Sequence, residues 1–197
     1  MSRGKGPDRD LAECFISVDV ETGGATPADY ALLSIGACLV DDPEATFYVE
    51  LKPEDKRSTT EALEVSKLSL DILETMGEPP AEALQRFSDW VVEVTPEGHR
   101  PVFVGFNAAF DWMFVADYFE RYVGRNPFGY TALDIKSFAM GRLGGTWAET
   151  SMSVLGPKYL SGRPLAHHAL SDAQDQAALF RALYAEPAHR REDNDNP

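Results

Sequence analysis

The chain has 197 residues, enough for one domain with short tails and a sizeable single core. Its 32 acidic against 18 basic side chains give a formal net charge of −14. That balance argues against a protein that coats nucleic acid or docks on an anionic membrane, since both need a basic footprint. No run of 18 apolar residues is present, which excludes a membrane-spanning helix. Residues 1–10 lack the apolar stretch of a secretory signal. Cys14 and Cys38 sit in apolar runs outside any metal-binding spacing, so they read as buried free thiols of a cytoplasmic protein.

In chain order, residues 1–12 read as a flexible leader. Segment 14–20 (CFISVDV) has the pattern of a short strand, and the apolar run 32–40 (LLSIGACLV) that of a buried one. Segment 46–51 (TFYVEL) follows the turn signal Asp41-Asp42-Pro43, so these three strands predict an antiparallel meander. The period then changes. Residues 69–76 predict a short helix stopped by Gly77. Residues 80–94 predict a longer one, with Pro80 at its start and Leu84, Phe87, Val91 and Val94 on one face. A strand at 101–105 precedes an amphipathic helix at 108–123. A strand at 130–134 precedes a helix at 135–142. Residues 151–155 predict a short helix and 169–184 a long one, followed by a disordered tail at 186–197. The order implies an α/β domain over 13–185 with a mixed five-stranded sheet, three antiparallel strands then two parallel, flanked by helices.

Three acidic motifs stand at the ends of these elements. Asp19 and Glu21 close the first strand two residues apart and therefore point to the same face. Two carboxylates there repel each other, and a divalent cation that favours carboxylate oxygens is the usual remedy. A strand end running into a polar turn at Thr22-Gly23-Gly24 is the plainer reading. Asp111 falls on the first turn of the helix after the fourth strand, in Asn107-Ala108-Ala109-Phe110-Asp111. It serves the site or the helix dipole, and Asn107 can cap the helix entry. Asp172 starts the last helix, with His167 five residues and His168 four residues before it. Imidazole titrates near neutral pH, which suits a general base; two exposed histidines is the alternative.

In this order and spacing, the motifs resemble the histidine branch of the DEDD 3′-5′ exonucleases (DEDDh), proofreading-exonuclease-like and ribonuclease T-like enzymes with a ribonuclease H-like fold. Asp19-Val20-Glu21, Asn107 to Asp111 and His167 to Asp172 match its three motifs. Leu33-Ser34-Ile35-Gly36-Ala37 is similar to its second strand, and Asn126-Pro127-Phe128 to a stretch of ribonuclease T. The sister branch has Tyr four residues before the last Asp. Here that position is His168, so the general base implied is His167, with His168 as alternative.

The resemblance implies removal of nucleotides from a 3′ end of single-stranded RNA or DNA, with two Mg²⁺ or Mn²⁺ ions. Asp19, Glu21 and Asp172 would hold the ion that activates water. Asp19 and Asp111, partly through water, would hold the ion at the leaving oxygen. Thr22, Gly23, Asn107 and Phe110 are the substrate-binding candidates. Gly23 equally forms a simple turn, and Phe110 either stacks on a base or packs in the core. Asp134 matches an acidic residue that often ends the family's fifth strand, and equally reads as a cap. Dimeric relatives make a homodimer a further expectation. The competing readings are a catalytically silent binding module and a small-nucleotide phosphodiesterase.

Two divalent ions would bring the formal charge from −14 to −10 and reverse the sign of the site locally. The remaining acidity predicts a weakly held, distributive trimmer, with Arg121, Arg125, Arg142, Lys158 and Arg163 as candidate helpers in capturing an end.

Overall fold

A computed structural model describes residues 11–160 and 167–187. Most of the expected leader and tail, and Arg163, lie outside the described residues. The strands are β1 (Ala12–Thr22), β2 (Leu32–Leu39), β3 (Thr46–Glu50), β4 (His99–Gly105) and β5 (Ala132–Asp134). They form one sheet in the order β3-β2-β1-β4-β5. β1–β2 and β2–β3 are antiparallel, while β1–β4 and β4–β5 are parallel, as the element order predicts. The helices are α1 (Thr60–Ser66), α2 (Leu70–Met76), α3 (Pro80–Val94), α4 (Ala109–Tyr122), α5 (Ile135–Leu143), α6 (Met152–Tyr159) and α7 (Ala169–Ala185).

Strand alternation sorts β1 into two faces. Ile16, Val18 and Val20 enter a core with Phe87 of α3 and Phe114 and Phe119 of α4. On the opposite face Val104, Ile135, Ala139, Leu179 and Phe180 build a second core under α5 and α7. The odd-numbered Asp19 and Glu21 therefore face the α7 side. Tyr118 of α4 fixes the start of β2, its hydroxyl accepting the Leu32 N–H at 2.8 Å. Cys14 and Cys38 are buried free thiols, and burial pushes the Cys38 thiol up to about 12.

The larger differences from the sequence expectation concern β1, α1, α6 and β5. β1 is longer than 14–20, because parallel pairing reaches Ala12 at one end and antiparallel pairing reaches Thr22 at the other. α1 is an additional helix. Thr59 caps it, Oγ1 accepting the Ala62 N–H at 3.1 Å. α6 runs past Leu155 to Tyr159 with Pro157 inside it. Pro157 removes one donor, but the Leu160 N–H closes the last turn on the Gly156 carbonyl at 2.8 Å. β5 keeps only three residues, those that pair with Phe103, Val104 and Gly105.

Candidate active site

Asp19 and Glu21 lie opposite Gly36 and Ser34 of β2. Gly36 lets α7 sit directly on the sheet there. A Cβ at this position would come 2.1 Å from the Leu170 nitrogen and 2.2 Å from the Ala169 carbonyl carbon. The first turn of α7 is thereby pressed against β1 and β2, and Asp172 arrives beside the two strand carboxylates. Oxygens of Asp19, Glu21 and Asp172 lie within 4.8 Å of one another. Asp111, on the first turn of α4, approaches from the other side of β1 and is only 4% exposed. Its Oδ1 accepts the Val20 N–H at 3.1 Å.

The electrostatics are those of crowded anions. Burial raises the Asp19 pKa well above the ordinary carboxylate range, and the charges of Asp111, Asp172 and Glu21 raise it further. Glu21 is pushed up to about 7 by burial and by Asp172. Asp111 also rises to about 7 through burial, which outweighs the opposing Val20 hydrogen bond. An all-oxygen donor set with excess negative charge fits Mg²⁺ or Mn²⁺, and lacks the nitrogen or sulfur ligands that Zn²⁺ favours.

The remaining candidates divide. His167 stands on the exposed turn before α7, with φ +52°. His168 is the N-cap residue of α7, and its ring stacks on Tyr48 at 4.7 Å, a packing role. Thr22 and Phe110 line an apolar cavity of about 360 Å³ with Glu21, Thr59, Ala62 and Val65. Phe110 also packs against the core and meets Phe114 at 5.5 Å, so its core reading holds while one side of the ring faces the cavity. Gly23 is engaged within the protein. Its N–H donates to Ala31 O, and its carbonyl accepts the Thr59 N–H, each at 2.8 Å. A Cβ there would lie 2.9 Å from the Arg57 carbonyl, so close backbone approach explains this glycine.

Asn107 is exposed at φ +62°, a conformation that asparagine tolerates well. It does not take the expected cap position. Asp134 Oδ2 accepts the Ala108 N–H at 2.9 Å instead. Asp134 Oδ1 also accepts from the Ser137 backbone at 2.7 Å, so Asp134 caps α5 as the cap reading expects. Arg121 is paired with Glu54 at 2.6 Å and with Asp117 at 2.8 Å.

Gln176 was not a candidate from sequence. It is 4% exposed, one turn after Asp172 on the same face of α7. Its Nε2 donates to Asp19 Oδ1 at 2.6 Å and its Oε1 accepts the Phe106 N–H at 2.9 Å. The four-residue spacing to Asp172 was the available signal.

A family model described as a 3′-5′ exoribonuclease Rv2179c-like domain matches residues 14–184. The chain belongs to this exonuclease family. It is 44% identical over 171 residues to the 3′-5′ DNA exonuclease Cap18 of Escherichia coli, covering 87% of this chain and 91% of that protein. The nuclease domain of 3′hExo, a DEDDh family member solved with rAMP, shares the fold at a TM-score of 0.69 and 13% identity. That match covers 92% of this chain and 97% of the domain. E. coli Exonuclease I, solved with a dT13 oligonucleotide, gives a TM-score of 0.68 at 17% identity, over 88% of this chain and 41% of that one. The ribonuclease H-like exonuclease fold implied by the three motifs is therefore the fold of this chain, and its family activity is 3′-5′ exonucleolytic. Among the described residues no helix is long and apolar enough to cross a membrane.

Proposed function

We propose that the chain shortens single-stranded nucleic acid from its 3′ end with two Mg²⁺ or Mn²⁺ ions. The observation that carries this reading is the convergence of Asp19, Glu21 and Asp172 within 4.8 Å beside the apolar cavity. Asp19, Glu21 and Asp172 would hold one ion. Asp19 and Asp111 would hold the other, Asp111 with the oxygen that the Val20 N–H leaves open or through water. When bound, such ions neutralise the phosphate and make water a stronger nucleophile near neutral pH. His167, at the solvent edge, takes the proton of the attacking water, while His168 remains packed on Tyr48. Thr22, Phe110 and the α1 wall are placed to receive the terminal base, in a volume suited to a small ligand.

The family description names RNA and the 44% identical relative is a DNA exonuclease, so both sugars belong in the assay. The test compares wild type and Asp19→Ala on labelled single- and double-stranded DNA and RNA. Loss of divalent-dependent cleavage in a folded Asp19→Ala protein supports the assignment; full retained activity on any substrate sinks it. Cleavage confined to dinucleotides would favour the small-nucleotide phosphodiesterase.

A further inference from the structure

We infer that Gln176 is a positioning residue for the metal site, holding the Asp19 carboxylate in one orientation and tying it to the Phe106 backbone. This rests on the metal-site reading above. The amide cannot be reversed. The Phe106 N–H can only donate, so the side-chain atom facing it at 2.9 Å is Oε1. Nε2 must then face Asp19 Oδ1, at 2.6 Å. Both polar ends of a side chain only 4% exposed are thus satisfied across three segments: α7, β1 and the turn between β4 and α4. The first two of these segments carry Asp172 and Asp19, and the third leads into α4, whose first turn carries Asp111.

The chemistry suits the task. Asp19 is repelled by Asp111, Asp172 and Glu21. Left to rotate, its carboxylate would turn away from its neighbours and lose the arrangement that a cation needs. A lysine or arginine could hold it, but would neutralise it and compete with the ion. A primary amide donates one directed hydrogen bond and leaves the anionic charge in place. Gln176 is also one turn from Asp172 on the same helix face, so it sets the distance of α7 from β1 at the point where the ligands meet.

The test uses the full chain with Gln176→Met, which keeps the volume and removes both bonds. Gln176→Asn is the second variant, since it keeps an amide but is one methylene too short to span both partners. Gln174→Met is the control. It removes a hydrogen bond that a side-chain amide of the same helix donates to the Pro43 carbonyl, outside the carboxylate cluster. Mn²⁺ binding is read by electron paramagnetic resonance, alongside Tm in chelator and the Mn²⁺ concentration giving half-maximal rate.

Both Gln176 variants should weaken Mn²⁺ binding by roughly 10- to 100-fold. The half-maximal Mn²⁺ should rise in step, and Gln174→Met should match wild type. Mn²⁺ affinity unchanged in a folded Gln176 variant overturns the inference while leaving the metal site standing. If wild type itself binds no Mn²⁺, the metal-site reading fails and the inference goes with it.

Discussion

The crowding of carboxylates should be measurable as a cost to the metal-free protein, and Glu21→Gln is the cleanest way to remove part of it. Glu21 ordinarily titrates at 4.5 and is held at about 7 by burial and by Asp172. A folded-state pKa raised above the unfolded one means that the folded protein binds more protons between those values. Stability therefore falls as pH rises from about 4.5 to about 7, and the deficit is fully present above that. The full shift corresponds to about 3 kcal/mol. Glu21 is partly exposed, and solvent screening reduces this to about 1–2 kcal/mol. Glutamine keeps the shape and drops the charge. In chelator near pH 8, Glu21→Gln should melt about 3–6 °C above wild type, a gap that narrows toward pH 5. Excess Mn²⁺ should reverse the order. Wild type gains about 2.7 kcal/mol at a hundredfold excess over Kd, and the variant gains little. Differential scanning calorimetry across pH, with and without Mn²⁺, measures all of this. A variant less stable than wild type in chelator near pH 8, or a gap independent of pH, would show that Glu21 carries no such electrostatic cost.

Three other expectations follow from the same geometry. His167→Ala should lower the rate by roughly 10²- to 10⁴-fold with Mn²⁺ binding unchanged, whereas His168→Ala, which loses the stack on Tyr48, should stay within a few-fold of wild type. Steady-state rates paired with Mn²⁺ titrations separate the two, and the reverse order would move the general base to His168. Asp134→Ala should cost about 1–3 kcal/mol in thermal unfolding, because it uncaps α5 and leaves the Ala108 N–H unpaired. Asp134→Asn should recover only part of that, because its amide keeps one acceptor oxygen where the carboxylate uses two, with unaltered Mn²⁺ affinity; a weakened affinity would give Asp134 a role at the metal site. Gly36→Ala should cost about 1–3 kcal/mol and most of the activity, since its methyl group displaces the start of α7.

The legible parts of this molecule were those written in local pattern. The 2-residue alternation that sends Val18 and Val20 to one core also sends Asp19 and Glu21 to α7, and that needs nothing beyond the strand itself. The α3 boundaries follow from Pro80 and the apolar spacing to Val94. Contacts between distant segments were the illegible part. Gln176 reads as an ordinary helix-face amide until β1 and the Phe106 turn are folded against it. Asp134 could not be separated from a site residue until its partners at Ala108 and Ser137 were seen. Gly23 read equally as a turn or a substrate contact, and its close approach to the Arg57 carbonyl, 34 residues on, is absent from local sequence. α1 was missed because seven residues carry too little periodicity, although Thr59 supplied a cap signal.

The acidic charge that first argued against nucleic acid is in part the site itself, four carboxylates around one strand end. The most direct test of that account is a time course on 5′-labelled single-stranded DNA and RNA, with Mn²⁺ or with chelator. A two-ion 3′-5′ exonuclease gives a ladder shortening one nucleotide at a time from the 3′ end, present only with the divalent ion. Internal cuts at early times, or cleavage that persists in chelator, would contradict it.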